Sequence, residues 1–201
     1  FSEGLKGYFM KYIIDTDIGD DIDDAFALDL ALKSGLDLVC VTTVFRNTPE
    51  RAQIVKRMCA LYGADIPVYA GYGDTLVGGM NTTGRLCQWT PELQGYVPES
   101  TKAAEAVDAI LRAARLYGRE LTILALGPLT NLARAIKADS AAMCSIGGIV
   151  MMGGDYTNHY AEWNICCDVE AANIVFSAGI PITAFGHDIT AGARLSYEEQ
   201  G

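Results

Sequence analysis

The sequence predicts an α/β fold: an open, mostly parallel sheet with helices on both faces. Three observations predict it. Short apolar runs alternate with amphipathic ones from end to end, the pattern of strand–helix–strand units. The strand-like runs are apolar almost without a break, as strands covered on both faces require. The length of 201 residues, half of them hydrophobic, suits one domain with a real core.

Lys11–Asp15 (KYIID) is the first predicted strand, followed by a helix from Asp23 to about Ser34. Asp37–Val44 (DLVCVTTV) is a β-branched strand, and Pro49–Tyr62 a helix whose proline suits a first turn. Pro67–Ala70 is a short strand, whereas Gly71–Glu99 is rich in Gly, Thr and Pro and lacks periodicity. Thr101–Tyr117 is helical, with Val107, Ile110, Leu111 and Ala114 at the i, i+3, i+4, i+7 spacing. Glu120–Leu126 is a strand, Leu129–Ala138 a helix and Ile146–Met152 a strand. A helix over Asp168–Ala178, closed by Gly179, and a strand over Pro181–His187 complete the pattern. Met10 reads as a natural start, which would make Phe1–Phe9 a non-native leader.

Composition narrows the function. A net charge of -10 with no basic patch disfavours a nucleic-acid partner. No apolar run approaches the roughly 20 residues a bilayer-spanning helix needs, so no membrane partner is expected. The six cysteines lack the dense spacing of a secreted scaffold and form no CxxC pair, which points to reduced thiols in a cytoplasmic protein.

In open parallel sheets, ligands bind beyond the carboxyl ends of the strands. The segment after the first strand stands out there. Asp15–Asp24 (DTDIGDDIDD) places six aspartates in ten residues. A helix cap and a solvated turn explain one or two of them. Six in a partly buried strand end repel one another unless a cation or protons offset the charge. Clustered carboxylates suit a hard cation. An EF-hand fails, because Gly19 falls at the third ligand position. An Asp-x-Asp after a strand also resembles the opening of magnesium-dependent haloacid-dehalogenase-type phosphohydrolases, but Gly19 follows Ile18 where that family expects Thr or Val.

Asp15–Leu28 (DTDIGDDIDDAFAL) more closely resembles the N-terminal signature of the nucleoside hydrolases, the inosine–uridine-preferring group and its relatives. Further segments follow in the family's order: Val41–Val44 leading to Asn47, Leu126–Asn131 (LGPLTN), Met151–Gly154 (MMGG), Ala161–Asn164 (AEWN) and Asp168–Ala172 (DVEAA). The resemblance covers Lys11 to about Ala193 and implies a Rossmann-like core.

It also implies a reaction: hydrolysis of the N-glycosidic bond of ribonucleosides to ribose and free base, with Ca2+ as cofactor. Asp17 and Asp24 would be carboxylate ligands of the ion and the backbone carbonyl of Leu126 a third. Water and the ribose diol could fill the remaining places. Asp23 would be the general base toward the attacking water. Asn47, Glu162 and Asn164 would hydrogen-bond the ribose. Trp163 is a candidate apolar floor, with a plain core position the competing reading, and Asn158 is a candidate extra ribose ligand. Family members are usually dimers or tetramers, which implies a homo-oligomer.

Three departures from the family are visible. Members continue past this point into a segment bearing a further His–Asp pair; this chain stops at Gly201, so the C-terminal part of the fold is expected to be absent. His187–Asp188 resembles that pair, but its surroundings (PITAFGHDITA) match an earlier stretch of the family, and a local structural role is expected for it. The loop Asp155–Tyr160 before Glu162 is shorter than in many members, and Asp74–Trp89 lacks the family's His-Gly-containing pattern. A catalytically silent member that binds a cation or nucleoside is therefore the alternative of a different class.

Overall fold

A computed structural model describes residues 10–78, 84 and 86–193. The proposed leader Phe1–Phe9 lies outside the described residues, as does part of Asp74–Trp89. The strands are β1 (Lys11–Thr16), β2 (Leu38–Thr43), β3 (Val68–Ala70), β4 (Leu121–Ala125), β5 (Gly148–Met152) and β6 (Ile182–Phe185). They form one sheet in the order β3-β2-β1-β4-β5-β6, and every neighbouring pair is parallel. The open parallel α/β architecture expected from the sequence is the one found.

The helices are α1 (Asp23–Ser34), α2 (Thr48–Leu61), α3 (Ala103–Tyr117), α4 (Thr130–Ala138), α5 (Ser140–Cys144), α6 (Trp163–Cys167), α7 (Val169–Ser177) and α8 (His187–Thr190). The period-2 alternation of the strands sends neighbouring residues to opposite faces. On β1, Ile13 faces a core built with Ile110 and Ala114 of α3 and Leu132 and Ile136 of α4. Its neighbour Ile14 faces a second core, with Leu28 and Ala31 of α1 and Val55 and Cys59 of α2. All of these are largely or wholly shielded, each large aliphatic chain contributing about 1.5–3 kcal/mol of transfer free energy.

Local signals explain the helix ends. Gly35 closes α1 in a left-handed conformation at φ 70°. Asp139 and Asp168 cap α5 and α7 by accepting the backbone N–H of Ala142 and Ala171. The expected last strand is corrected: β6 stops at Phe185, Gly186 turns the chain, and His187 begins α8. The short helices α5, α6 and α8 have too few turns to show a 3.6-residue period, so sequence periodicity could not reveal them.

Candidate active site at the β1–β4 crevice

The chain builds one half of the sheet outward from β1 to β3, then crosses to β4 on the other side of β1. The crevice beyond the carboxyl ends of β1 and β4 is therefore the topological switch point, where open α/β sheets bind ligands. A cavity of about 670 Å³ opens there, the size of a small-molecule site. Asp17, Asp20, Asp21, Asp23 and Asp24 line it from the β1–α1 side, Leu126 from the end of β4, and Glu162, Trp163 and Asn164 from α6 and the residue before it.

The carboxylates differ in environment. Asp23 is exposed in the first turn of α1, while its neighbour Asp24 is buried and accepts a hydrogen bond from the Thr16 hydroxyl. The helix N-terminus favours both charges. Asp15 lies beneath the cavity, fully enclosed, with Oδ1 accepting from Thr42 Oγ1 at 2.6 Å and Asn131 Nδ2 at 2.8 Å. Burial pushes the Asp15 carboxyl up to about 7, although both hydrogen bonds pull the other way. Burial likewise raises Asp24 to about 6, with the charge of Asp23 adding to it. Asp17 is raised by burial and then by Asp24.

The opposite wall is held by its own hydrogen bonds. Glu162 precedes α6 and caps it, Oε1 accepting the N–H of Asn164 (2.8 Å) and Oε2 those of Gly154 (2.9 Å) and Ile165 (3.1 Å). Asn164 Nδ2 donates to the Leu126 carbonyl at 2.7 Å, which ties α6 to the end of β4. Trp163 is 57% exposed and faces the cavity, which is not the setting of a core residue.

Of the residues singled out from sequence, Asp17, Asp23, Asp24, Leu126, Glu162, Trp163 and Asn164 meet at this cavity. Asn47 and Asn158 are not among its lining residues. Asn47 stands at the N-cap of α2 and its amide donates to the Gly84 carbonyl (2.7 Å) and to Glu50 (3.2 Å). Asn158 is exposed and bonded to Asp155. His187 does line the cavity, with Nδ1 3.8 Å from Asp155 and its ring 4.9 Å from that of Tyr160, whereas Asp188 is outside it.

Comparison with known proteins decides the family. Residues 12–200 match the sequence model of the inosine-uridine preferring nucleoside hydrolases. The chain belongs to that family. It is 37% identical to uridine nucleosidase 1 of Arabidopsis thaliana, over 97% of this chain and 61% of the relative. It is 34% identical to the pyrimidine-specific ribonucleoside hydrolase RihB of Escherichia coli, over 90% of this chain and 60% of that protein. A purine-preferring ribonucleoside hydrolase from Gardnerella vaginalis superposes with a TM-score of 0.74 at 30% identity, covering 94% of this chain and 64% of the other. The chain thus spans about 60% of the length of the curated relatives it matches.

Three residues of this nucleoside hydrolase chain have roles that sequence reasoning did not assign. Arg51 of α2 is wholly buried beneath the acidic loop. Its Nε donates to the Phe45 carbonyl (2.8 Å), Nη1 to the carbonyls of Asp17 and Ile18 (2.7 Å to Ile18), and Nη2 to Asp20 (2.9 Å). Asn131 joins Asp15, the Thr43 carbonyl (3.0 Å) and the Tyr72 N–H (2.9 Å). Gly127 backs the Asp17 carboxylate so closely that a Cβ there would lie 2.7 Å from Asp17 Oδ1.

The donor set can be tested against a hard cation. Among the described residues, no group of three or more His, Cys, Asp or Glu side chains is placed to hold a metal ion. The expected set has only two carboxylates, Asp17 and Asp24, with the Leu126 carbonyl, and all three face the same cavity. Oxygen donors alone, repelling one another and disfavoured in their charged forms by burial, are the chemistry that a hard cation satisfies.

Proposed function

We propose that the chain is a single nucleoside hydrolase domain carrying the cation- and ribose-binding half of a calcium-dependent ribonucleoside hydrolase. One observation carries this reading: the aspartates after β1 and the Leu126 carbonyl after β4 share the switch-point cavity with Glu162 and Asn164. Family membership narrows the chemistry to ribonucleoside N-glycosidic bonds, in preference to a phosphohydrolase.

Asp17, Asp24 and the Leu126 carbonyl would hold Ca2+, whose charge would offset the carboxylates and polarise the oxygens bound to it. Asp23 is exposed to the cavity, so its carboxylate can take a proton from a water entering there. As the base departs, positive charge grows on the ribosyl ring. The acidic loop lies along one wall and stabilises that charge. Asn164 bridges the Leu126 carbonyl and the cavity and positions the sugar, while Glu162 fixes the turn that presents Asn164 and Trp163. Asn47 enters this reading only by leaving its bonds to Gly84 and Glu50, and Asn158 by leaving Asp155.

The partner is a ribonucleoside. Relatives named for uridine and for purine preference leave the base unassigned. A homo-oligomer belongs to the same reading, supported by Ile22, just before α1, and Phe26 and Leu30 on it, exposed at four-residue intervals. The free state of all six cysteines fits a cytoplasmic location. Among the described residues no helix is long and apolar enough to cross a membrane.

The test is release of free ribose from uridine and inosine with calcium and with chelator. The reading expects calcium-dependent release that is lost in Asp17→Ala and Asp23→Ala. Calcium binding without release in the wild-type chain would instead establish the catalytically silent member.

A further inference from the structure

We propose that the groove between α3 and α4 is a binding site for a small organic monoanion, a single carboxylate on a flat apolar body. The groove shares no lining residue with the switch-point cavity. Its volume of about 410 Å³ is that of a small-molecule site. One wall is α3, where Ala104, Val107 and Asp108 fall at the i, i+3, i+4 spacing and so share a face. The other is α4, which presents Arg134 and, one turn on, Lys137. Tyr72 and Leu76, from the loop after β3, complete the lining.

The loop is fixed in place by bonds to the helices behind it. The Tyr72 N–H donates to Asn131 Oδ1 (2.9 Å) and the Leu76 N–H to Asp168 Oδ2 (2.7 Å), both of them buried side chains. Arg134 Nη2 donates to the Thr75 carbonyl at 3.3 Å. The Arg134 guanidinium also lies over the Tyr72 ring, with Cζ 3.8 Å from the centroid, which fixes its position. A groove whose walls are already ordered loses little freedom when a ligand enters.

Charge selects the ligand. Among the described residues neither Arg134 nor Lys137 forms an ion pair, whereas Lys33, Lys56 and Arg115 of α1, α2 and α3 do. Arg134 Nε is in addition enclosed without a hydrogen-bond partner. A cation partly withdrawn from water and lacking a counter-charge is stabilised by an anion bound beside it. Two cations against the carboxylate of Asp108 leave one net positive charge, which matches a monoanion and disfavours a dianion such as phosphate. The planar fork of arginine fits a carboxylate. Leu76, Ala104 and Val107 then offer apolar surface to the body that carries it.

Nitrogen-15 NMR titration of the 201-residue chain tests this, with benzoate as the probe. Benzamide, its uncharged counterpart, and inorganic phosphate are the controls. We expect benzoate to shift the amide signals of Tyr72, Leu76, Ala104 and Lys137 in a saturable way, and to bind at least about tenfold tighter than either control. Arg134→Gln should weaken benzoate at least about tenfold and Lys137→Gln about two- to fivefold. Asp108→Asn should tighten it about two- to fivefold and strengthen phosphate as well. Asp108 and Lys137 are exposed, so their variants keep the fold and decide the matter even if Arg134→Gln does not fold. No saturable shift, equal binding of benzoate and benzamide, affinities unmoved by the Asp108 and Lys137 variants, or shifts centred on Asp17 and Asn164 would each overturn the proposal.

Discussion

Replacing Arg51 by methionine tests whether the acidic loop is held from beneath. The guanidinium is fully enclosed and satisfies three carbonyls, those of Phe45, Asp17 and Ile18, besides the Asp20 carboxylate. Methionine keeps much of the volume and removes every donor. An orphaned buried carbonyl costs about 1–3 kcal/mol. The Asp20 side chain is 39% exposed, so that ion pair adds only about 0–1 kcal/mol. Water can reach the half-buried Asp17 end, which keeps the sum toward its lower side, about 3–5 kcal/mol. For a domain of this length each kcal/mol moves the melting temperature by about 2–4 °C, so Arg51→Met should melt about 6–20 °C lower. Circular dichroism melts of the two proteins in chelator measure the difference. A fall smaller than about 2 °C would refute the reasoning, because the three carbonyls would then have found other partners at no cost.

The remaining predictions concern the cation and the thiols. Calcium at about 100 times its dissociation constant should stabilise the chain by about 2.7 kcal/mol, or about 5–11 °C in melting temperature, and Asp24→Asn should abolish the gain; a melt unmoved by calcium would remove the ion from the site. Gly127→Ala should cost most of that calcium-linked gain, since the new Cβ would stand 2.7 Å from Asp17 Oδ1 and displace the ligand, while the melt in chelator changes far less. Iodoacetamide at pH 8 should modify the exposed Cys87, Cys144 and Cys166 and spare Cys40, Cys59 and Cys167, as mass spectrometry of the digested protein would show. Burial pushes the thiols of Cys40 and Cys167 up to about 12, so they carry almost no thiolate at that pH.

Much of this molecule is legible in its sequence because the sheet is buried on both sides. Runs such as DLVCVTTV and LTILAL can be little else than central strands, and the loops after them must then surround the crevice. Other features depend on contacts far apart in the chain. Asn47 directly precedes Thr48–Pro49, the position of a helix cap, and its amide is occupied there. Glu162 caps α6, a helix of five residues with no periodic signature. Arg51 did leave a signal. It falls on the helical face of Ile54, Val55 and Cys59, at i+3, i+4 and i+8, where a cation must be buried or the pattern broken. What no local pattern gives is its set of partners, which come from the loop after β1 and the turn after β2.

The distribution of charge shows what the acidic loop costs the fold. Of 25 acids, six lie between Asp15 and Asp24, leaving 19 against 15 bases elsewhere, about -4. The net charge is thus chiefly a property of one strand end. Burial first, and then their neighbours' charges, raise the carboxyls of Asp15, Asp17 and Asp24 above the ordinary range. A raised folded-state pKa means that the associated stability is fully present below the ordinary carboxylate value, near 4, and is lost as pH rises through the folded values. For Asp24 and Asp15 those values are about 6 and about 7. At neutral pH the bare loop therefore works against the fold around it. Arg51 offsets part of this from below, but it binds mainly carbonyls and reaches only the Asp20 carboxylate. The charges of Asp17, Asp23 and Asp24 face the cavity, where a bound cation or the positive charge of a reacting sugar would meet them.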